Sequence, residues 1–157
     1  MSGFDPLIRT KVLASSAVAV SHTGNTDETI LATVTIPAGL MGLNGVLRID
    51  YLWSVTNSGN NKTVRARLGG IGGTAFLSLA NTTVASVRGF RNIQNRGSAS
   101  SQISEWSDGL GPGSTASAVT TGTVDTAAAQ DLVFTAQLAS AAETITLERY
   151  LVELIIP

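Results

Sequence analysis

The sequence predicts an all-β fold: an antiparallel two-sheet sandwich, jelly-roll-like, of about 8–9 strands. Three observations predict it. Apolar residues recur at every second position rather than at helical spacing. Breaks rich in Gly, Asn and Pro divide the chain at near-regular intervals. No stretch has the apolar periodicity of a helix of three turns or more. With no cysteine in its 157 residues, the chain also lacks the Cys…Trp…Cys signature of an immunoglobulin sandwich. No internal repeat suggests a propeller or a solenoid. The length suits one domain over 1–157, with residues 1–10 expected as an extended N-terminal arm.

In Ile30-Leu31-Ala32-Thr33-Val34-Thr35-Ile36 the even positions are apolar and the later odd ones are Thr, the pattern of a half-buried strand. Pro37-Ala38-Gly39 ends it, and Asn44-Gly45 makes a turn. From Val46 to Thr56, Leu47, Ile49, Tyr51, Trp53 and Val55 share one face, with Arg48, Asp50, Ser54 and Thr56 on the other. Asn57 to Asn61 is a polar hairpin loop, and Lys62 to Leu68 returns with Val64, Ala66 and Leu68 inward. Gly69 to Gly73 is a tight turn or bulge. It has no following Lys-Ser/Thr and no following helix, so it is not a phosphate-binding loop.

Thr74 to Leu79 is a short strand, and Val84 to Gln94 a more weakly alternating one with Arg88 and Arg91 beside Phe90 and Ile93. Residues 95–118 are rich in Ser and Gly around Trp106; Ser98 to Ser104 is a possible strand and Asp108 to Gly113 a loop. Val119 to Asp125 is short and Thr-rich, while Gln130 to Ala139 points Leu132, Phe134, Ala136 and Leu138 inward. In the last strand, Glu143 to Ile156, both parities turn apolar beyond Arg149. A strand apolar on both faces is expected to be covered on both. The cover is either the N-terminal segment or another subunit, which makes Tyr150, Val152, Leu154 and Ile156 the candidate oligomer interface.

Composition narrows the function. Charged residues are 13% of the chain, about half the usual share. Thr (19), Ser (16) and Gly (16) make up nearly a third. The absence of Cys excludes disulfides, thiolate nucleophiles, Fe–S clusters and cysteine zinc sites. No signal peptide is evident at the N-terminus, so folding in a cytoplasm is expected, and no apolar run approaches a membrane span. The net charge of -1 hides a segregation. Residues 51–104 hold six cations and no acid, whereas residues 105–157 hold seven acids against Arg149 alone. Arg65, Arg67, Arg88, Arg91, Glu148 and Glu153 are therefore candidate charge-complementary contacts, within the fold or between subunits.

No catalytic, cofactor or metal residue is predicted. His22, the one imidazole, sits in a polar stretch whose Ser21 and Asp27 are too close in sequence to form a triad, and it reads as a loop residue. The acids have no locating motif and read as solvated; Asp50, opposite Tyr51 and Trp53, implies no acid-plus-aromatic cleft. No spaced Asp loop for calcium occurs. Six cations with few aromatics argue against nucleic-acid binding. Trp106 is the one good candidate for an exposed, sugar-binding aromatic, although it more simply tucks under its own loop.

Several stretches resemble segments of tailed-bacteriophage virion proteins: Leu31 to Gly39, Asn44 to Ile49, Trp53 to Ser58, Lys62 to Gly70 and Ile145 to Leu154. Together they make up 40 of the 157 residues and match in strand-and-turn phrasing, not in a catalytic signature. The resemblance implies a jelly-roll structural protein of a virion, assembled in the host bacterial cytoplasm. It implies neither an enzymatic activity nor a cofactor. The expected role is capsid decoration (cement), with the chain itself, as dimer or trimer, and the major capsid protein as partners; no nucleic acid or membrane partner is expected. The alternative is a head- or tail-fibre or spike module that contacts a host surface glycan.

Overall fold

The computed structural model describes residues 9–157. The expected arm at 1–10 therefore lies outside the described residues except for Arg9 and Thr10, which open the first strand. Eleven strands follow in order: β1 (Arg9–Ser16), β2 (Val20–His22), β3 (Thr29–Ile36), β4 (Val46–Val55), β5 (Lys62–Leu68), β6 (Thr74–Asn81), β7 (Ser86–Asn95), β8 (Gln102–Ser104), β9 (Thr120–Gly122), β10 (Gln130–Leu138) and β11 (Ile145–Ile156). No helix occurs among the described residues. The strands read from the sequence are all present; β1 and β2 are additional, because Arg9–Ser16 alternates weakly and Val20–His22 is only three residues long.

Two antiparallel sheets form. The larger has seven strands, in the order β1-β11-β4-β7-β8-β9 with β2 also paired to β11; the smaller has four, in the order β3-β10-β5-β6. Without β2, β8 and β9, the chain crosses between sheets at every step except the β5–β6 hairpin, so that β1-β11-β4-β7 faces β3-β10-β5-β6. That is the jelly-roll order, two interleaved Greek keys. The β8–β9 pair is an insertion between β7 and β10 that extends the larger sheet past β7.

The core lies between the sheets. The alternation of β4 delivers Leu47, Ile49, Tyr51 and Trp53 to it, all fully buried, against Val64, Ala66, Leu68, Leu132 and Phe134 of the smaller sheet. The Phe134 and Tyr150 rings meet across the sandwich with centroids 5.0 Å apart. The turn after β5 depends on glycine: Gly69 (φ 95°) and Gly70 (φ 75°) lie in the left-handed region, and both N–H groups donate to the Asp131 carbonyl at 2.9 Å. His22 is no loop residue. It lies in β2 opposite Ile145, is buried, and its Nε2 has no partner among the described residues.

Strand β11 corrects the two-faced reading of the C-terminus. The register to β4 slips between Leu147 and Arg149, a bulge at Glu148. A bulge exchanges the two faces: Ile145 and Leu147 point inward before it, Tyr150, Val152 and Leu154 after it. The apolar residues of both parities thus partly reflect one core-facing set that changes parity. Strand β1 joins the edge of β11 rather than lying over its outer face.

At the end of the sandwich beside β8, a buried polar network holds three connections together. Gln102 is fully buried; its Nε2 donates to Asn95 Oδ1 (2.9 Å), the Val124 carbonyl (2.9 Å) and the Ala99 carbonyl (3.2 Å), and its Oε1 accepts from Val124 N (2.9 Å). Asn95 Nδ2 donates in turn to the Gly42 carbonyl at 2.7 Å and to Thr126 Oγ1 at 2.8 Å. This network fixes the start of the β8–β9 insertion.

Candidate functional site

The insertion creates a concave feature beside β7. Strand β7 pairs with β8 only at Gln94 and Asn95, so the preceding part of its edge carries no strand partner among the described residues. The connection after β8 runs along that edge. Glu105 caps it, with Oε2 accepting from Asn92 N (3.2 Å) and Ser104 Oγ (3.0 Å) and Oε1 from Asn92 Nδ2 (3.1 Å). Burial alone would raise the Glu105 pKa, but these donors, with its own backbone N–H, hold it below the ordinary carboxylate value. Farther along, the Ser107 carbonyl accepts from Ser78 N of the smaller sheet (2.8 Å), and the Gly109 carbonyl accepts from Arg91 Nη2 (2.5 Å).

Between this connection and the β4–β7 pair lies a cleft of about 360 Å³. Trp106 and Leu110 line it from the connection, and Phe90 from β7; Phe90 is 60% exposed, large for an aromatic ring on a sheet. Asp50, Arg88, Arg91 and Glu105 supply the polar lining. Gly89 forms part of the wall because only glycine fits: a Cβ there would stand 2.6 Å from Tyr51 Oη and 2.7 Å from Leu110 Cδ2. Burial pushes the Tyr51 phenol up to about 12, with Arg91 opposing the rise and Glu105 and Asp50 adding to it. The Tyr51 hydroxyl has no hydrogen-bond partner among the described residues.

Asp50 overturns one expectation. It does point away from Tyr51 and Trp53, but the register places it opposite Phe90, and Trp106 completes an acid-plus-aromatic cleft on that side. Trp106 is half-buried and lines the cleft rather than disappearing beneath its loop. Leu110, Gly89 and Glu105 were not legible as site residues. Phe90 did carry a signal, as a large apolar side chain on the polar parity of its strand.

The other candidates are dispersed. Arg67 forks onto Glu28 (Nε–Oε1 2.7 Å, Nη2–Oε2 3.0 Å), and Arg65 reaches the same carboxylate at 3.3 Å. Thr135 also donates to Glu28; burial acts against these contacts, yet together they hold its pKa below the ordinary value. Arg65 and Arg67 are therefore engaged within the chain. Arg91 is 3% exposed and held under the connection, whereas Arg88 is exposed with no partner among the described residues. Glu148 accepts from Ser54 Oγ, and Glu153 faces Arg48 in the register. Val152 and Leu154 are fully buried in the core, Tyr150 packs on Phe134, and Ile156 is half-buried against the core. These four side chains belong to the protein's own interior, and the outer face of β11 is Leu151, Glu153 and Ile155. Among the described residues no three His, Asp or Glu side chains converge as a metal site.

The fold and cleft define a class: a jelly-roll β-sandwich with an inserted strand pair and a binding-sized cleft at its edge. No family model matches the chain, and no curated protein matches it. Among solved structures it is similar to the CBM2 module of the evolved Dit of Lactobacillus casei BL23 phage J-1, with 14% identity, TM-score 0.41, 80% of this chain and 69% of that one covered. It is also similar to the VP2 subviral particle of infectious bursal disease virus, with 12% identity, TM-score 0.43, 99% of this chain but only 37% of that one. A peanut lectin with a bound 9mer peptide is similar over 100% of this chain and 95% of that one, with 8% identity and TM-score 0.40. All three scores and identities are low.

Proposed function

We propose that this chain is a structural protein of a phage particle, a capsid decoration protein that binds and braces the major capsid lattice as a dimer or trimer. The sequence resemblance points to a virion. The observation that carries the bracing role is the outer face of the larger sheet. By register, Val46, Leu52, Leu151 and Ile155 share it with Phe90 and Val12, which are 60% and 55% exposed. Arg48, Asp50, Arg149 and Glu153 lie between them, and Arg149 pairs with Asp50. No strand of the smaller sheet lies on this side, and at its Asp50–Phe90 end the connection after β8 borders it through Trp106. An apolar surface with interspersed paired charges suits association that needs both area and register.

Light scattering tests self-association: wild type is expected as a dimer or trimer and Leu151→Glu as a folded monomer, because Leu151 lies outside the core. A wild-type monomer at high concentration would remove the oligomer from the proposal. Electron microscopy of the intact particle tests the placement. Copies at symmetry-repeated lattice positions are expected; a few copies at one vertex would replace decoration with the fibre or spike reading, which the aromatic-lined cleft favours.

A further inference from the structure

We infer that the cleft between β7 and the connection after β8 is a binding site for a neutral saccharide of one or two rings. The inference does not depend on where in a particle the protein sits, since a decoration protein and a fibre module can both carry such a site. It stands on the shape of the cleft, its surfaces and its unused polar groups.

Ligand clefts run from about 300 to 1,000 Å³, so one of about 360 Å³ admits a small ligand and not an extended chain. The aromatic surfaces come from two directions, Phe90 from the strand and Trp106 from the connection. The C–H faces of a sugar ring pack on such rings while its hydroxyls stay free for polar partners.

The polar lining then selects among small ligands. It balances Arg88 and Arg91 against Asp50 and Glu105, so its formal charge cancels. An anionic ligand would meet two carboxylates, and a cationic one two guanidinium groups. A wholly apolar ligand would strip water from these groups without replacing its hydrogen bonds. Sugar hydroxyls both donate and accept, and so match a lining of both kinds. Part of the lining is uncommitted within the protein. Exposed Arg88 has no partner among the described residues, and Asp50 meets Arg149 through Oδ1 and leaves Oδ2 without a donor among them. Glu105 and Arg91 are fixed from behind by Asn92, Ser104 and the Gly109 carbonyl, which pre-sets the site before a ligand arrives.

Nuclear magnetic resonance offers a direct test, because the chain has two indole N–H signals: Trp53, fully buried in the core, and Trp106, at the cleft. The full chain is titrated with glucose, galactose, N-acetylglucosamine, rhamnose, cellobiose and lactose, with glucuronate and inorganic phosphate as charged comparisons. At least one neutral sugar is expected to shift the Trp106 signal saturably while Trp53 stays still. Trp106→Ala, followed through the backbone amides of β7, and Arg88→Ala are each expected to weaken that sugar by about tenfold or more. Arg88 is exposed and has no partner among the described residues, so its replacement leaves the fold intact and keeps the test decisive if the Trp106 variant does not fold. The inference is overturned if no neutral sugar saturates the signal up to its solubility. It is equally overturned if only glucuronate or phosphate does, or if Arg88→Ala binds like wild type. None of these outcomes alters the oligomer measurement or the particle placement above.

Discussion

Replacing Gln102 by Leu tests whether the polar network at the end of the sandwich holds the inserted strands. The substitution keeps approximate volume but removes both hydrogen-bonding atoms. Three groups then lose the only partner they have among the described residues: Val124 N–H, the Val124 carbonyl and Asn95 Oδ1. The Ala99 carbonyl does not, since Thr126 N and Oγ1 also donate to it at 2.8 Å. An orphaned buried polar group costs roughly 1–3 kcal/mol; Asn95 Oδ1 is buried and the two Val124 groups are partly buried, so roughly 3–9 kcal/mol is the upper gross loss. Water entering the loosened loops and the added apolar burial of Leu reduce this, and we expect a net loss of about 3–5 kcal/mol. Total stability for a domain of this size is about 5–15 kcal/mol, so the change consumes a large share. Equilibrium urea unfolding reads it as a midpoint lowered by roughly 2 M for a slope of about 2 kcal/mol per molar. Gln137→Leu is the control: its amide makes one bond, to the Thr26 carbonyl at 3.3 Å, at an exposed position, and a change within about 0.5 kcal/mol is expected. A Gln102→Leu midpoint equal to wild type, with the same slope, would refute the assignment of the network as a structural clamp.

Tyr51→Phe removes a buried hydroxyl that has no partner, so thermal unfolding should show stability unchanged or higher by about 1 kcal/mol. Gly89→Ala drives a methyl against that hydroxyl and Leu110, with an expected loss of about 1–3 kcal/mol; the Tyr51→Phe background should recover part of it, which a double-mutant cycle measures. Glu28, Glu105 and Glu143 all have folded pKa values below the ordinary 4.5, Glu143 chiefly through the Ser58 hydroxyl. A lowered carboxylate stabilises above its unfolded pKa, and that stability disappears as pH falls through the folded value, so urea midpoints should drop below about pH 4.5. Glu28→Gln should flatten that acid limb and lower the midpoint at neutral pH, because Arg65 and Arg67 lose their shared anion.

The sandwich was legible because period-2 alternation is local. Each of β4, β5 and β10 announces its inward face within a few residues, and Gly and Asn mark the turns, whereas in β3 a bulge at Leu31 turns Leu31 inward and leaves Ile30 exposed, against the even-position reading. The polarity of whole strands, the absence of helices and the aromatic candidate Trp106 followed from the same local rules. Pairing across the chain was not legible. That Asp50 stands opposite Phe90, that Glu28 gathers Arg65 and Arg67, and that β1 borders β11 are all contacts between distant segments. The bulge at Glu148 shows the reason most clearly. One extra residue changes which side chains face the core, yet it leaves no mark in a stretch where both parities are apolar. The sequence by itself determined the class of fold and the inventory of side chains. Only the tertiary structure decided which apolar residues of β11 are spent inside, and it alone assembled Phe90, Arg88, Asp50 and Trp106 into one cleft, because a site between strands and an insertion is set by register rather than by composition.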